Sequence, residues 1–107
     1  MAVLYVETYD KEIDHGIWEL KTPDIRIEQP LRKALGFPSE ITVYLQLGTA
    51  ALNFVAAVLM LIAAKEKGKP SKTKTLLRIR KSEVDLRALV VRHEESIHIE
   101  VQEEEEQ

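Results

Sequence analysis

The chain has 107 residues, a length that predicts one domain, and its hydrophobic content of 45% is that of a globular protein. It has no cysteine, which excludes a disulfide framework and thiolate chemistry and predicts a reducing compartment. The formal net charge is −3 and the first residues contain no basic segment followed by an apolar one, so we expect a cytoplasmic protein without a signal peptide.

The first 30 residues read as three strands joined by polar turns. Apolar residues occupy both alternating sets in Ala2–Tyr9, which predicts a strand buried on both faces or nearly so. Residues 10–16 are polar and predict a loop. Short strands are predicted at Ile17–Lys21 and Ile25–Gln29, separated by a Thr-Pro-Asp turn. Pro30 then suits the first position of a short helix over Leu31–Leu35.

The stretch from Ile41 to Ala64 contains no charged residue and dominates the sequence. Its first part, Ile41–Leu47, alternates β-branched or aliphatic residues with polar ones and predicts a strand. Gly48 interrupts that pattern, and the spacing becomes helical from Thr49 to Lys67. Such a helix would be roughly 28 Å long at about 1.5 Å per residue.

This helix is apolar on nearly every side, whereas a helix packed only on its own sheet carries Lys and Glu on its outer face. We therefore predict that it is buried on both faces, against its own sheet and against a partner. Small residues at helical spacing allow close approach of another backbone. The predicted interface residues are Asn53, Ala56, Ala57, Met60 and Ala64.

Three further strands are predicted near the C-terminus, at Thr75–Arg80, Val84–Arg92 and Ile97–Val101, which would form a meander. The predicted order is β-β-β-α-β-α-β-β-β. It indicates an α+β two-layer sandwich with a mostly antiparallel sheet packed on one long apolar helix. The domain is predicted over residues 1–102, and residues 103–107 form an acidic tail.

Charge is unevenly distributed, with eight Lys or Arg and a single Glu between positions 65 and 81, and seven Glu without Lys or Arg from position 94 onward. The basic segment could contact a polyanion through Lys65, Lys67, Lys69, Lys72, Lys74, Arg78 and Arg80. Acidic residues outnumber basic ones, however, and no aromatic residue interleaves with the basic ones, so nucleic-acid binding is a minor alternative.

No motif predicts catalysis, a cofactor or a metal. His93 and His98 are five apart, which does not match the four-residue spacing of a zinc-binding helix. The acidic cluster at positions 10–14 resembles the start of a calcium loop, but Gly16 is one place late and Lys21 stands where the bidentate Glu is required. We expect a non-enzymatic protein.

Three consecutive stretches carry a family pattern: the uncharged run ITVYLQLGTAALNFVAAVLMLIAA, the basic helix exit AAKEKGK and the strand TLLRIRK. On the pattern of these stretches, the sequence resembles, over about half of the chain, the effector-associated constant component family of bacterial conflict systems. The resemblance implies an adaptor that accompanies a protease-like or other effector. The chain departs from the family between Ile17 and Gln29, where strands are predicted instead of a longer helical region.

Two main hypotheses follow for function. The first is a protein–protein interaction or adaptor module that forms a homodimer or higher homo-oligomer through the helix 49–67, with an effector protein as a further partner. The alternative is a membrane-anchored protein with one helical span at residues 41–64 and a Lys-rich cytoplasmic flank.

Overall fold

The computed structural model describes residues 2–30, 38–46, 48–66, 75–80, 84–93 and 97–102. Within these ranges the elements are β1 (Ala2–Thr8), α1 (Lys11–Glu19), β2 (Arg26–Glu28), β3 (Ser39–Leu45), α2 (Thr49–Glu66), β4 (Leu76–Arg80), α3 (Val84–His93) and β5 (His98–Gln102). The predicted α+β class, with a mostly antiparallel sheet on a long apolar helix, is confirmed. The predicted short helix over residues 31–35 and the acidic tail 103–107 lie outside the described residues.

The five strands form one sheet in the order β2-β3-β1-β4-β5. The pairs β1–β3, β1–β4 and β2–β3 are antiparallel, whereas β4–β5 is parallel. The first six elements therefore have the β-α-β-β-α-β connectivity of a split βαβ, or ferredoxin-like, arrangement, to which α3 and β5 are added.

The central strand β1 is buried on one face, which differs from the prediction of burial on both. Ala2, Leu4, Val6 and Thr8 point into the core, and the residues between them are half-buried. The described helices cover the core side of the sheet, and none of them covers the other side, which we call the open face. The apolar residues Val3 and Tyr5 therefore belong to a surface of the molecule and not to its core.

Helix α1 replaces the predicted loop at residues 10–16 and the predicted strand Ile17–Lys21, so both predictions were wrong. Asp10 caps its N-terminus, because its side-chain Oδ1 accepts a hydrogen bond of 2.9 Å from the backbone N–H of Glu12. Ile13 and Ile17, four residues apart, lie on one face of the helix and are fully buried. This spacing holds the helix against the sheet and α2.

Gly16 lies where α1 and α2 approach each other. A Cβ atom built at Gly16 would overlap Cδ2 of Leu61 and lie 3.2 Å from its Cδ1. Leu61 itself packs half-buried against the core. Because glycine has no side chain, α1 can approach α2 closely at this position, although glycine is less favourable in a helix than alanine.

We expect the effect of Gly16→Ala to depend on the residue at position 61. In the native background it should change the free energy of unfolding by at most about 0.5 kcal/mol, because the end of the half-buried Leu61 side chain must shift, and this offsets the better helix propensity of alanine. In a Leu61→Ala background the same change should raise it by up to about 1 kcal/mol, through better helix propensity. Urea unfolding of the four chains tests this, and equal effects in both backgrounds would show that close packing does not explain the glycine.

Helix α2 was predicted correctly and is the largest part of the helical layer. It contacts both α1 and α3, and its core-facing residues are Ala51, Phe54, Val55, Val58, Leu59 and Ile62. The preceding strand β3 was also predicted correctly, with Ile41, Val43 and Leu45 buried beneath the helices.

The predicted strand Val84–Arg92 was wrong, because this segment is the helix α3. Leu86 and Val90, four residues apart, are buried, and Leu89 is partly buried against the core. Since a helix connects β4 to β5, the chain crosses over and β5 runs parallel to β4 instead of completing a meander. The observed order is therefore β-α-β-β-α-β-α-β.

Candidate functional site

The chain presents two distinctive surfaces, the outer side of α2 and the open face of the sheet. On α2, the residues turned away from the sheet form an uncharged stripe, which we call the α2 stripe: Asn53, Ala56, Ala57, Met60 and Ala64. Successive residues of a helix are about 100° apart, which places these five within about 60° of one direction. Asn53, Met60 and Ala64 are exposed, Met60 to 66%, and Ala56 and Ala57 are half-buried.

Two shallow grooves border the α2 stripe. The groove between α2 and α3 has a volume of about 310 Å³ and is lined by Leu52, Asn53, Ala56, Ala88, Leu89 and Arg92. The groove between α2 and the end of α1 has a volume of about 300 Å³ and is lined by Leu20, Thr22, Ile25, Ala50, Asn53, Phe54 and Ala57. Asn53 lines both grooves, so its amide lies on the ridge between two mostly apolar depressions.

The sheet buries one side of α2, and its own chain leaves the α2 stripe facing outward. Among the described residues α2 is the one helix long and apolar enough to cross a bilayer, by length and composition alone. The core helix of a soluble protein meets the same criterion. Residues 41–45, which the membrane alternative included in its span, belong to strand β3 and not to the helix.

The open face of the sheet has its charges sorted into rows. At one end, the cross-strand neighbours Arg26, Tyr44, Val3 and Arg80 form what we call the basic row. At the other end, Glu40, Glu7, Leu76 and His98 form the acidic row. Between the two rows lie Glu28, Thr42, Tyr5, Arg78 and Glu100.

A concavity of about 490 Å³ occupies the basic end of this face. It is lined by Val3, Tyr5, Thr42, Tyr44, Arg78 and Arg80. The guanidinium of Arg26 lies 4.2 Å from the centre of the Tyr44 ring, and that of Arg78 lies 5.8 Å from the centre of the Tyr5 ring. Arg78 also donates a 2.8 Å hydrogen bond from Nε to Glu100. The aromatic rings of the face are thus overlain by cations.

Tyr5 remains protonated over the physiological range. Burial raises its pKa to about 12, and the neighbouring carboxylates of Glu7 and Glu40 act in the same direction. The phenol therefore acts as a hydrogen-bond donor toward the acidic row and not as a base.

The predicted polyanion contacts do not form one stripe within the described residues. Arg78 and Arg80 lie on the open face of the sheet, whereas Lys65 lies on the helical side and forms an ion pair with Glu12. Lys67, Lys69, Lys72 and Lys74 lie outside the described residues. The sequence reading also missed the tyrosines beside these arginines, because Tyr5 and Tyr44 come from other strands of the sheet.

The acidic cluster near position 12 has structural partners. Asp10 caps α1, and Glu12 pairs with Lys65. Asp14 accepts a 2.8 Å hydrogen bond from Nε2 of Gln29, whose Oε1 accepts another of 2.8 Å from the indole of Trp18. In the part of the chain that the structure describes, no three acidic, histidine or cysteine side chains converge as metal ligands would.

No protein family, curated protein or solved structure matches the chain at a significant level. The inferences below therefore depend on the surfaces of the chain itself.

Proposed function

We propose that this chain is a non-enzymatic protein–protein interaction module that self-associates through the α2 stripe. The supporting observation is the composition of that stripe: the outward side of an 18-residue helix has no charged residue before Lys65. The outer face of a helix in a monomeric protein usually carries charged residues, so the uncharged stripe is unusual for a surface in contact with water.

The shape of the surface favours a second copy of the same helix as its partner. The stripe lies between two grooves, of which the one beside α1 is mostly apolar and the one beside α3 includes Arg92, and ridges fitted into grooves are how helices pack on one another. A helix of this length is about 27 Å long and about 10 Å across. The grooves widen the contact toward the roughly 500 Å² per partner that a specific interface requires.

Asn53 gives the contact a fixed register. It is the one amide of the apolar stripe, at the N-terminal end of the stripe, and it lines both grooves. A polar side chain within an apolar helix contact specifies alignment, because any other alignment leaves its amide without a hydrogen bond. In a two-fold arrangement with parallel helices, or with helices that cross at Asn53, the Asn53 side chains of the two copies would face each other.

The stripe can be tested by placing a charge on it. Met60→Arg and Ala57→Arg should each halve the mass of a dimer that forms through the α2 stripe, because a guanidinium cannot be buried in an apolar contact without a partner. Met60 is 66% exposed in the single chain, so Met60→Arg should leave the fold intact. Light scattering after size-exclusion chromatography, with circular dichroism as a check on folding, measures both effects.

His15→Arg is a matched control, because His15 is exposed on α1, also in the helical layer, but outside the stripe. It should leave the mass unchanged. If wild type and both stripe variants share one mass while all remain folded, the α2 contact does not exist.

The resemblance to the effector-associated constant component family supports the adaptor role and suggests an effector protein as a further partner in the cytoplasm. The departure noted between Ile17 and Gln29 remains in part, because Arg26–Glu28 is a strand, although the segment directly after β1 is helical over Lys11–Glu19. The membrane-anchored alternative is supported by the composition of α2. Aspartate substitutions at Met60 and Ile62 distinguish this alternative from the interaction module.

A further inference from the structure

We propose that the open face of the sheet is a second self-association surface, on which two copies lie face to face with the basic row of one over the acidic row of the other. This contact uses the side of the sheet opposite to α2. It does not depend on the proposed role of the α2 stripe.

The order of charges along the strands supports this inference. On β1 and β4, Val3 pairs with Arg80 at the basic end, and Glu7 pairs with Leu76 at the acidic end. Positions 3 and 7 of one strand are about 13 Å apart at about 3.4 Å per residue. The face therefore has separated ends of opposite charge and does not alternate from residue to residue.

The acidic end contains an unfavourable arrangement within the single chain. Glu7 and Glu40 are direct cross-strand partners in the β1–β3 register, and like charges directly opposite each other destabilise a sheet. Glu40 has partners within its own chain, among them the hydrogen-bonded phenol of Tyr5, and cations from a second copy would reduce the repulsion further. Arg26, which also pairs with Glu28 at 3.6 Å, and Arg80 in a second copy have the required charge.

Symmetry selects one way of placing the second copy. A two-fold axis that lies across the strands turns the sheet end for end, so the basic row of each copy faces the acidic row of the other. An axis along the strands would place acidic on acidic and basic on basic. Aligned sheets pack about 10 Å apart with strands within about 30° of each other, an arrangement that the first axis permits.

The composition of the face favours a second copy over a nucleic acid. Its described charged residues are three arginines and four glutamates, apart from His98: Arg26, Arg78, Arg80, Glu7, Glu28, Glu40 and Glu100. A polyanion would meet more carboxylates than guanidiniums on this face, whereas a second copy offers both charges to both rows. Between the charged ends lie Val3, Tyr5 and Tyr44, half-buried side chains that can be covered by another sheet.

The two surfaces together would make more than a dimer. The α2 stripe and the open face lie on opposite sides of a two-layer chain, so one partner cannot cover both. Alternating two-fold contacts of two kinds build an open row of chains or close as a tetramer. This consequence, unlike the sheet contact, rests on the proposed function of α2.

The decisive experiment isolates the sheet contact in the Ala57→Arg background, from which the α2 contact has been removed. Sedimentation velocity should show a dimer at low salt that dissociates at high salt, because charges between exposed rows are screened. Adding Arg80→Glu should weaken this dimer at least about tenfold, because an acidic group then faces the acidic row. Adding Glu7→Arg to that variant should restore it, because the pair is reversed and not removed.

Lys21→Glu, which makes the same charge change at an exposed position outside both rows, should have no effect. A dimer unaffected by Arg80→Glu, or not restored by Glu7→Arg, overturns the sheet contact. A monomer that binds oligouridylate through Arg80 also overturns it and makes the face a nucleic-acid site. If wild type and Ala57→Arg behave alike while Arg80→Glu dissociates both, the sheet contact stands and the α2 contact fails.

Discussion

Thr75→Val is expected to lower the free energy of unfolding by about 2–3 kcal/mol, although it preserves the shape of the side chain. Thr75 is fully buried just before β4, where it joins the end of β1 to the end of α2. Its hydroxyl donates a 2.6 Å hydrogen bond to Oε1 of Glu66, a side chain that is only 2% exposed. Valine leaves that carboxylate oxygen without this donor in an interior where unsatisfied polar groups are costly.

The hydrogen bonds continue to the sheet. Oγ1 of Thr8 lies 2.8 Å from Oγ1 of Thr75 and accepts a 3.1 Å hydrogen bond from the backbone N–H of Asp10. A threonine hydroxyl has one hydrogen, so if Thr75 donates to Glu66, Thr8 donates to Thr75. Hydrogen bonds in such a series strengthen one another, which makes the loss of the central hydroxyl more damaging than the loss of an isolated one.

Urea unfolding of Thr75→Val should be compared with Thr42→Val, the same change at a half-exposed position on the open face of the sheet. The control should differ from wild type by at most about 0.5 kcal/mol. Changing both members, Glu66→Met with Thr75→Val, should recover most of the loss, because an apolar pair has no polar group to satisfy. Equal stability of Thr75→Val and the control would show that the buried hydroxyl has no such role.

The sequence was sufficient for elements whose local pattern and tertiary role agree. β3 alternates cleanly because one face is buried, and α2 begins after Gly48, whose φ of +147° suits glycine. The five predicted interface residues are on one side of α2, since helical spacing alone determines which residues share a face.

The sequence was insufficient where the two-residue period of a strand and the 3.6-residue period of a helix both fit the same residues. In α3, Leu86 and Val90 fit a strand that alternates and also a helix with spacing of four. The choice depends on packing against α2, which no local pattern reveals. In α1 the capping role of Asp10 was obscured by the surrounding acidic residues and by Gly16, which is unfavourable in a helix but lies closely against Leu61.

The rows of the open face could not be read from the sequence, because they arise from register between strands distant in the chain. Glu7 and Glu40 are 33 positions apart, and Val3 and Arg80 are 77 apart, yet each pair is directly opposite across the sheet. The basic segment was therefore interpreted as a stripe of its own, although its two described arginines on β4 belong to a face shared by five strands.

Ile62→Asp and Met60→Asp should have opposite effects on folding, although the two positions are only two residues apart on the same helix. Ile62 is fully buried on the side of α2 that faces the core, and an unpaired carboxylate there should cost more than about 4 kcal/mol and unfold most of the protein. Met60 is largely exposed in the single chain, so aspartate there should change the free energy of unfolding of the dissociated chain by at most about 0.5 kcal/mol and should leave it folded.

The pair also separates the interaction module from the membrane anchor. In a bilayer-spanning helix aspartate is costly at position 60 as well as at 62, by up to the roughly 2.5–3.5 kcal/mol of the helix centre, because lipid surrounds the helix. In the two-layer fold only the side facing the sheet excludes water. Urea unfolding at micromolar concentration, with the distribution between membrane and soluble fractions, measures both effects. Similar losses in the free energy of unfolding at the two positions, together with recovery in the membrane fraction, would contradict the interaction module. A folded Met60→Asp chain beside an unfolded Ile62→Asp chain requires that α2 be buried by its own sheet.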